Sequence, residues 1–201
     1  MKELIRNTKY IRKKRYEAIV IGTSQGGMTA LTQLLPVLPQ DYPIPVIVVQ
    51  HVHPSQGEFL TEYYDERCAL TVKEADEKES IQSGYIYFAP PDYHLLIEKN
   101  KSFSLSIDNK VNYARPSIDV LFESAADTYS SDLVGIILTG ANNDGAHGLD
   151  KIKQKGGLTI VQDPETAESS SMPQAAIDVV EADYVMSLEE IKNLLIELGE
   201  T

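Results

Sequence analysis

The chain has 201 residues, 42% of them hydrophobic, with a net charge of −12, enough to bury one full core as a single domain. It has no apolar run of bilayer-spanning length and no basic-then-apolar leader, and its one cysteine, Cys68, excludes an internal disulfide; a cytoplasmic protein with no stable membrane insertion is expected. Residues 1–15 carry a local sum of +6, which leaves −18 on the rest and argues against nucleic acid as the main ligand. That basic arm either docks on an acidic partner or is a solvated tail, and the catalytic body is read as residues 16–201.

Strand and helix alternate from residue 18 onward. Residues 18–21 form an apolar run suited to a strand covered on both faces, and apolar positions at offsets of three and four over 28–35 predict a helix. Between them lies Gly-x-Ser-x-Gly, from Gly22 to Gly26. A proline-rich loop over 36–45 leads to a second buried strand over 46–49, closed by Gln50-His51. Ser55 and Glu58 read as a capping box opening a helix toward Cys68, and strands are expected at 70–72 and 85–88. Residues 94–98 and 103–107 around Asn100-Lys101 predict an antiparallel hairpin.

Arg115-Pro116-Ser117 begins a helix through Ala126, with Ile118, Leu121, Phe122 and Ala125 on one face. Residues 133–138 are another apolar strand, followed by a polar turn over 139–145 and a short helix ending at Gly156-Gly157. A strand over 158–161, a polar loop over 162–173, a helix over 174–180 and a short strand over 184–186 come next. Ser187 and Glu190 form a capping box before an amphipathic helix over 188–198. The alternation predicts a doubly wound α/β domain, with a mainly parallel sheet, a hairpin excursion and functional loops at the carboxyl ends of its strands.

The chemistry is assembled from those ends. A serine on a sharp strand-to-helix turn projects its hydroxyl beside unpaired helix N–H groups, where an oxyanion would develop. Ser24 follows the first strand, His51 closes the second, and Asp144 lies after the strand over 133–138, so nucleophile, base and orienting acid share one rim. Each has a bland alternative. The glycine-rich turn could only pack or bind a phosphate, His51 could simply close its strand with His53 as base, and Asp144 could be an N-cap of the next helix, a role Asn143 could also fill. His94 reads as core or surface.

Across nearly the whole chain from Tyr16, the sequence resembles the catalytic domain of the chemotaxis protein-glutamate methylesterases, the CheB type. The resemblance is carried in order by IGTSQGG, VVQHVHPS, YIYFAPPDYHL, RPSIDVLFESAA, ILTGANNDGAHGL, GGLTIVQDPETA and MPQAAI. It implies Ser24 as nucleophile, His51 as base and Asp144 as orienting acid. It also implies hydrolysis of glutamyl methyl esters on a helical chemoreceptor cytoplasmic domain, glutamine deamidation by the same steps, and no cofactor. Backbone groups near Gln25 and Ala141 are the implied oxyanion or substrate-binding donors.

The chain departs from the family pattern at Gln25, where Thr is usual, at Ala141-Asn142, where Met-Gly is usual, and at Ser169-Ser170-Ser171. Family members often carry a receiver domain, which a basic arm of fifteen residues cannot form; a complete chain of this kind would be constitutively open or governed by a separate regulatory protein. Three other readings stand beside this one. A nucleotide-binding module would use Gly22-x-Ser24-x-x-Gly27, but the middle glycine of the fingerprint is missing. A metal hydrolase would use His51, His53, Asp144 and His147. A non-catalytic receptor-binding domain would keep the fold without the chemistry.

Overall fold

A computed structural model describes residues 14–51 and 57–200. Its framework is a parallel sheet whose described strands are β1 (Ala18–Thr23), β2 (Val46–Gln50), β3 (Thr71–Glu74), β4 (Tyr85–Phe88), β7 (Leu133–Ile137), β8 (Leu158–Gln162) and β9 (Tyr184–Met186), in the order β3-β4-β2-β1-β7-β8-β9. Two further strands, β5 (His94–Ile97) and β6 (Phe103–Ser106), pair antiparallel in a separate hairpin. The helices are α1 (Gly27–Leu34), α2 (Gly57–Asp65), α3 (Ile118–Tyr129), α4 (Ala146–Gln154), α5 (Ser171–Val179) and α6 (Leu188–Gly199). The expected doubly wound, mainly parallel fold with a hairpin excursion is thus observed.

Side-chain alternation divides the apolar residues between two cores. Ile19, Ile21, Val46, Val48 and Ile136 point to the face covered by α1, α2 and α6. Ala18, Val20, Ile47, Val49 and Ile137 point to the other, where α3, α4, α5 and the hairpin cover them. A strand buried on both faces has no polar side to show, so β1, β2 and β7 are buried at every position. These three strands are adjacent, with Thr23 level with Gln50 and Gly22 level with both Val49 and Ile137. From β1 the chain first runs outward through β2 and later returns to β7 on the other side, so the winding reverses between β1 and β7. Ligand crevices of open α/β sheets form at such a reversal, outside the carboxyl ends of the strands.

Two helices differ from the sequence reading. α5 begins at Ser171 rather than Gln174, because Pro173 falls in the first turn, where an N–H has no helical acceptor to lose. α3 continues past Ala126 to Tyr129, since its polar residues find tertiary partners: Asp127 pairs with Lys151 and Lys155, and the Thr128 hydroxyl donates to the Ile97 carbonyl. Ser187 and Glu190 form the expected reciprocal cap of α6. His53 and Ser55 lie outside the described residues, as do the Glu58 side chain and most of the basic arm. No helix among the described residues is long and apolar enough to cross a membrane.

Gly22, the first glycine of the motif, permits the first turn of α3 to rest on the end of β1. A Cβ there would lie 2.3 Å from Ile118 Cγ2. Gly22→Ala is therefore expected to destabilise the fold by about 1–3 kcal/mol through overpacking, read as a lower urea midpoint at unchanged m-value; an unaltered midpoint would show that α3 yields freely at this contact.

Candidate active site

The turn after β1 places Ser24 at the edge of a cleft of about 700 Å³, lined also by His51, Asn112, Arg115 and Asn142. Gly26, at φ 80°, is the N-cap of α1 and takes the left-handed conformation the sharp turn requires. The backbone of Ser24 is clamped from both sides. Its N–H donates to the Thr139 carbonyl of the β7 loop at 3.0 Å, and its carbonyl accepts from the Gly27 N–H and from Gln50 Nε2 at 2.8 Å. Gln50 Nε2 also donates to the His51 carbonyl, so one amide ties the serine turn to the histidine segment. Thr139 adds a third tether through its hydroxyl, which donates to the Gln25 carbonyl. Among the described residues, the Gln25 and Ala141 N–H groups have no backbone acceptor, although the side chain of Gln25 and residue Ala141 are exposed and Asn142 rather than Ala141 lines the cleft.

His51 continues from β2, its N–H bonded to the Thr23 carbonyl. Its ring Nε2 lies 2.9 Å from Asp144 Oδ2, with the carboxylate fully buried and the imidazole 14% exposed. A carboxylate facing Nε2 fixes the proton there and leaves Nδ1 as the nitrogen with a free lone pair. The structure therefore brings His51 and Asp144 together as the sequence predicts and sets Ser24 on the same cleft. Ser24 Oγ makes no hydrogen bond to His51 among the described residues.

Asp144 does not cap the helix that follows it; that N-cap is Gly145, with no side-chain hydrogen bond. Its carboxylate instead sits on the amino end of α3. Oδ2 accepts from the Ile118 N–H at 2.7 Å, and Oδ1 accepts from Ser117 Oγ at 2.7 Å, from Asn112 Nδ2 at 3.1 Å and from the Asp119 N–H at 3.2 Å. Burial is the largest single influence on this carboxyl and would raise its pKa. The hydrogen bonds from His51, the Ile118 N–H and Ser117 outweigh it and hold Asp144 below the usual carboxylate range. Asp119, bridged to Asp144 by Asn112, is shifted the opposite way: burial raises it, and the Asp144 charge adds to that rise. The two acids are thus shifted in opposite directions, with Asp144 the one biased toward its ionised form.

His94 is part of the support. It is buried, its Nδ1 accepts from the Ser117 N–H, and its Nε2 donates to the Asn109 carbonyl, so it is a neutral core histidine that fixes the residue preceding α3. Sequence reasoning had no signal for Asn112, read Ser117 only as a helix start, and treated Gln50 and Thr139 as parts of motifs; all four are held to the site across long chain separations. Buried polar residues at the ends of apolar strands, such as Gln50 and Thr139, are the one hint the sequence offers. His147 is exposed on α4.

A CheB methylesterase family model matches residues 19–195. The chain belongs to the CheB methylesterase family. A provisionally named protein-glutamate methylesterase/protein-glutamine glutaminase of Leptospira interrogans is 55% identical over 186 residues, covering 92% of this chain and 96% of its own. The protein-glutamate methylesterase/protein-glutamine glutaminase of Thermotoga maritima is 39% identical over 90% of this chain, which spans 53% of that relative. The crystal structure of the Thermotoga maritima CheB methylesterase catalytic domain superposes with a TM-score of 0.87 at 38% identity, over 92% of this chain and 100% of that one. The fold expected from the resemblance is therefore the family's own.

A depressed Asp144 has a defined pH signature. Its folded value lies below its unfolded one, so its stabilising contribution is complete above the ordinary carboxylate range and is lost as pH falls through the lowered value. Asp144→Asn is expected to lower Tm at neutral pH and to flatten the fall in Tm below about pH 4. A variant whose acid limb parallels that of the wild type would show that Asp144 carries no such linkage.

Proposed function

We propose that this chain is a serine hydrolase that demethylates glutamyl methyl esters on the cytoplasmic domain of a chemoreceptor-like protein, with residues 16–201 as the catalytic unit. The observation that carries the reading is the His51–Asp144 hydrogen bond at the rim where Ser24 ends its turn. Ser24 Oγ attacks the ester carbonyl carbon as its proton passes to His51 Nδ1, and the new oxyanion is met by N–H groups near Gln25 and Ala141. His51 then protonates the departing methoxide, which leaves as methanol. Water attacks the acyl-enzyme, gives its proton to His51, and the bond to Oγ breaks with return of that proton, leaving a glutamate and free Ser24. Asp144, kept ionised by its hydrogen-bond donors, stabilises the imidazolium in both halves.

Glutamine deamidation follows the same course with ammonia as leaving group. No step calls for a cofactor. An N–H survives exchange of the side chain above it, so the substitutions at Gln25 and Ala141-Asn142 leave the oxyanion donors in place while altering the rim. The other elements of the reading are a cytoplasmic site of action and, where control is needed, a separate regulatory protein.

The test is methanol release from a methylated chemoreceptor cytoplasmic fragment. Ser24→Ala and His51→Ala are each expected to lower kcat by a factor on the order of 10³ or more with the fold intact by circular dichroism, and Asp144→Asn to lower it strongly as well. Binding of the fragment with no release by the wild type would instead favour a non-catalytic receptor-binding domain. A variant at Ser24 that retains full release would remove the serine mechanism.

A further inference from the structure

The stretch between the hairpin and α3 forms one lip of the cleft. Residues 111–114 close a tight turn, in which the Val111 N–H donates to the Ala114 carbonyl at 3.1 Å and the Ala114 N–H donates back at 2.8 Å. Both central residues are left-handed, Asn112 at φ 50° and Tyr113 at φ 63°. Asparagine tolerates that region, whereas a bulky aromatic adopts it at a cost. The Asn112 side chain is employed within the protein, donating to Asp119 at 2.8 Å and to Asp144 at 3.1 Å. Tyr113 is not. It is 97% exposed and lines the same cleft as Ser24, and Val111 of the same turn is also exposed. Strain retained at a fully exposed aromatic on an active-site rim is what a contact residue for an incoming surface would show.

Charge identifies that surface. Lys110 and Arg115 flank the turn and line the cleft, and neither has a carboxylate partner among the described residues, although the chain as a whole carries −12. Arg115 is oriented by two backbone carbonyls, those of Ile107 at 2.7 Å and Asp108 at 3.0 Å. Three carboxylates lie near it: Glu168 against Gly26, Asp92 two residues before the His94 that binds Asn109, and the exposed Asp108 two residues before Lys110. An acidic partner would be turned away from Glu168 and toward the lip.

We propose that residues 110–115 form the docking lip for an acidic protein segment carrying the reacting glutamyl group. Tyr113 packs on that segment, and Lys110 and Arg115 pair with its carboxylates. This rests on the methylesterase reading, whose product is itself a carboxylate, so each turnover adds negative charge to the surface being read. Through Asn112 the same turn holds Asp144, so the element that meets the substrate also positions the acid behind His51.

The experiment reads binding apart from turnover. The affinity of Ser24→Ala for a fluorescently labelled, methylated chemoreceptor cytoplasmic fragment is compared with that of double variants that add Tyr113→Gly, Tyr113→Ala or Lys110→Glu. Glycine accepts the left-handed turn, so it removes the ring without straining the backbone. Each Tyr113 change is expected to weaken binding about tenfold, and Lys110→Glu to weaken it and flatten its dependence on salt. With Ser24 present, Tyr113→Gly is expected to raise KM while kcat stays within about twofold. Unchanged affinity in both Tyr113→Gly and Lys110→Glu overturns the lip. Tyr113-dependent binding without methanol release would keep the lip and remove the esterase reading; release with a KM indifferent to both residues would do the reverse.

Discussion

The carboxylate of Asp144 on the amino end of α3 is the contact on which the rest of the site depends. A fully buried ionised acid is costly unless its lone pairs are met, and here two backbone N–H groups, a hydroxyl, an amide and an imidazole meet them. The arrangement serves both sides. α3 begins with N–H groups that no helical carbonyl can accept, and Ser117 supplies no side-chain cap, so the acid from a distant loop satisfies them. In return, the helix end keeps that acid charged at the pH where an imidazolium needs a counterion. Helix capping and the support of the histidine are one interaction.

That junction requires close approach of three segments. Ile118 opens α3 against Gly22 and Gly145, where an added Cβ would fall 2.3 and 2.6 Å from its Cγ2. His94 of the hairpin holds the Ser117 N–H, so the antiparallel excursion braces the same point from outside the main sheet. Gln50 and Thr139 perform the corresponding task for the serine turn from the two neighbouring strands. Nucleophile and base are thereby positioned by hydrogen bonds from the end of β2 and from the loop that follows β7.

What the sequence made legible follows from how local each signal is. The strands β1, β2 and β7 are short, apolar but for the polar residues that end β1 and β2, and bounded by glycine or polar residues, so their existence could be read directly. Ser24, His51 and Asp144 could be found because strand ends in a doubly wound sheet share one edge. The partners of Asp144 could not. Asn112, Ser117 and the amides of α3 reach it across 25 to 32 positions, and no periodicity encodes a pairing of that kind. The start of α5 was hidden for a different reason: proline usually marks a boundary, yet in a first turn it has no N–H to waste. The extra turn of α3 was likewise concealed, because Asp127 and Thr128 look like solvent-facing residues until Lys151 and the Ile97 carbonyl are seen beside them.

The three central strands have a consequence for how this architecture can diverge. Every group that defines the spacing of nucleophile and base is hung on β1, β2 and β7, buried at each position and flanked on both sides by further strands. The peripheral strands β3 and β9, the hairpin and the 107–116 stretch lie outward of that block. Drift in those outer parts can reshape the surface offered to a partner while leaving the central spacing alone. Among the described residues, Asn112 and His94 are where the hairpin and the 107–116 stretch reach inward to the chemistry, and those two tethers mark the limit of what can change freely.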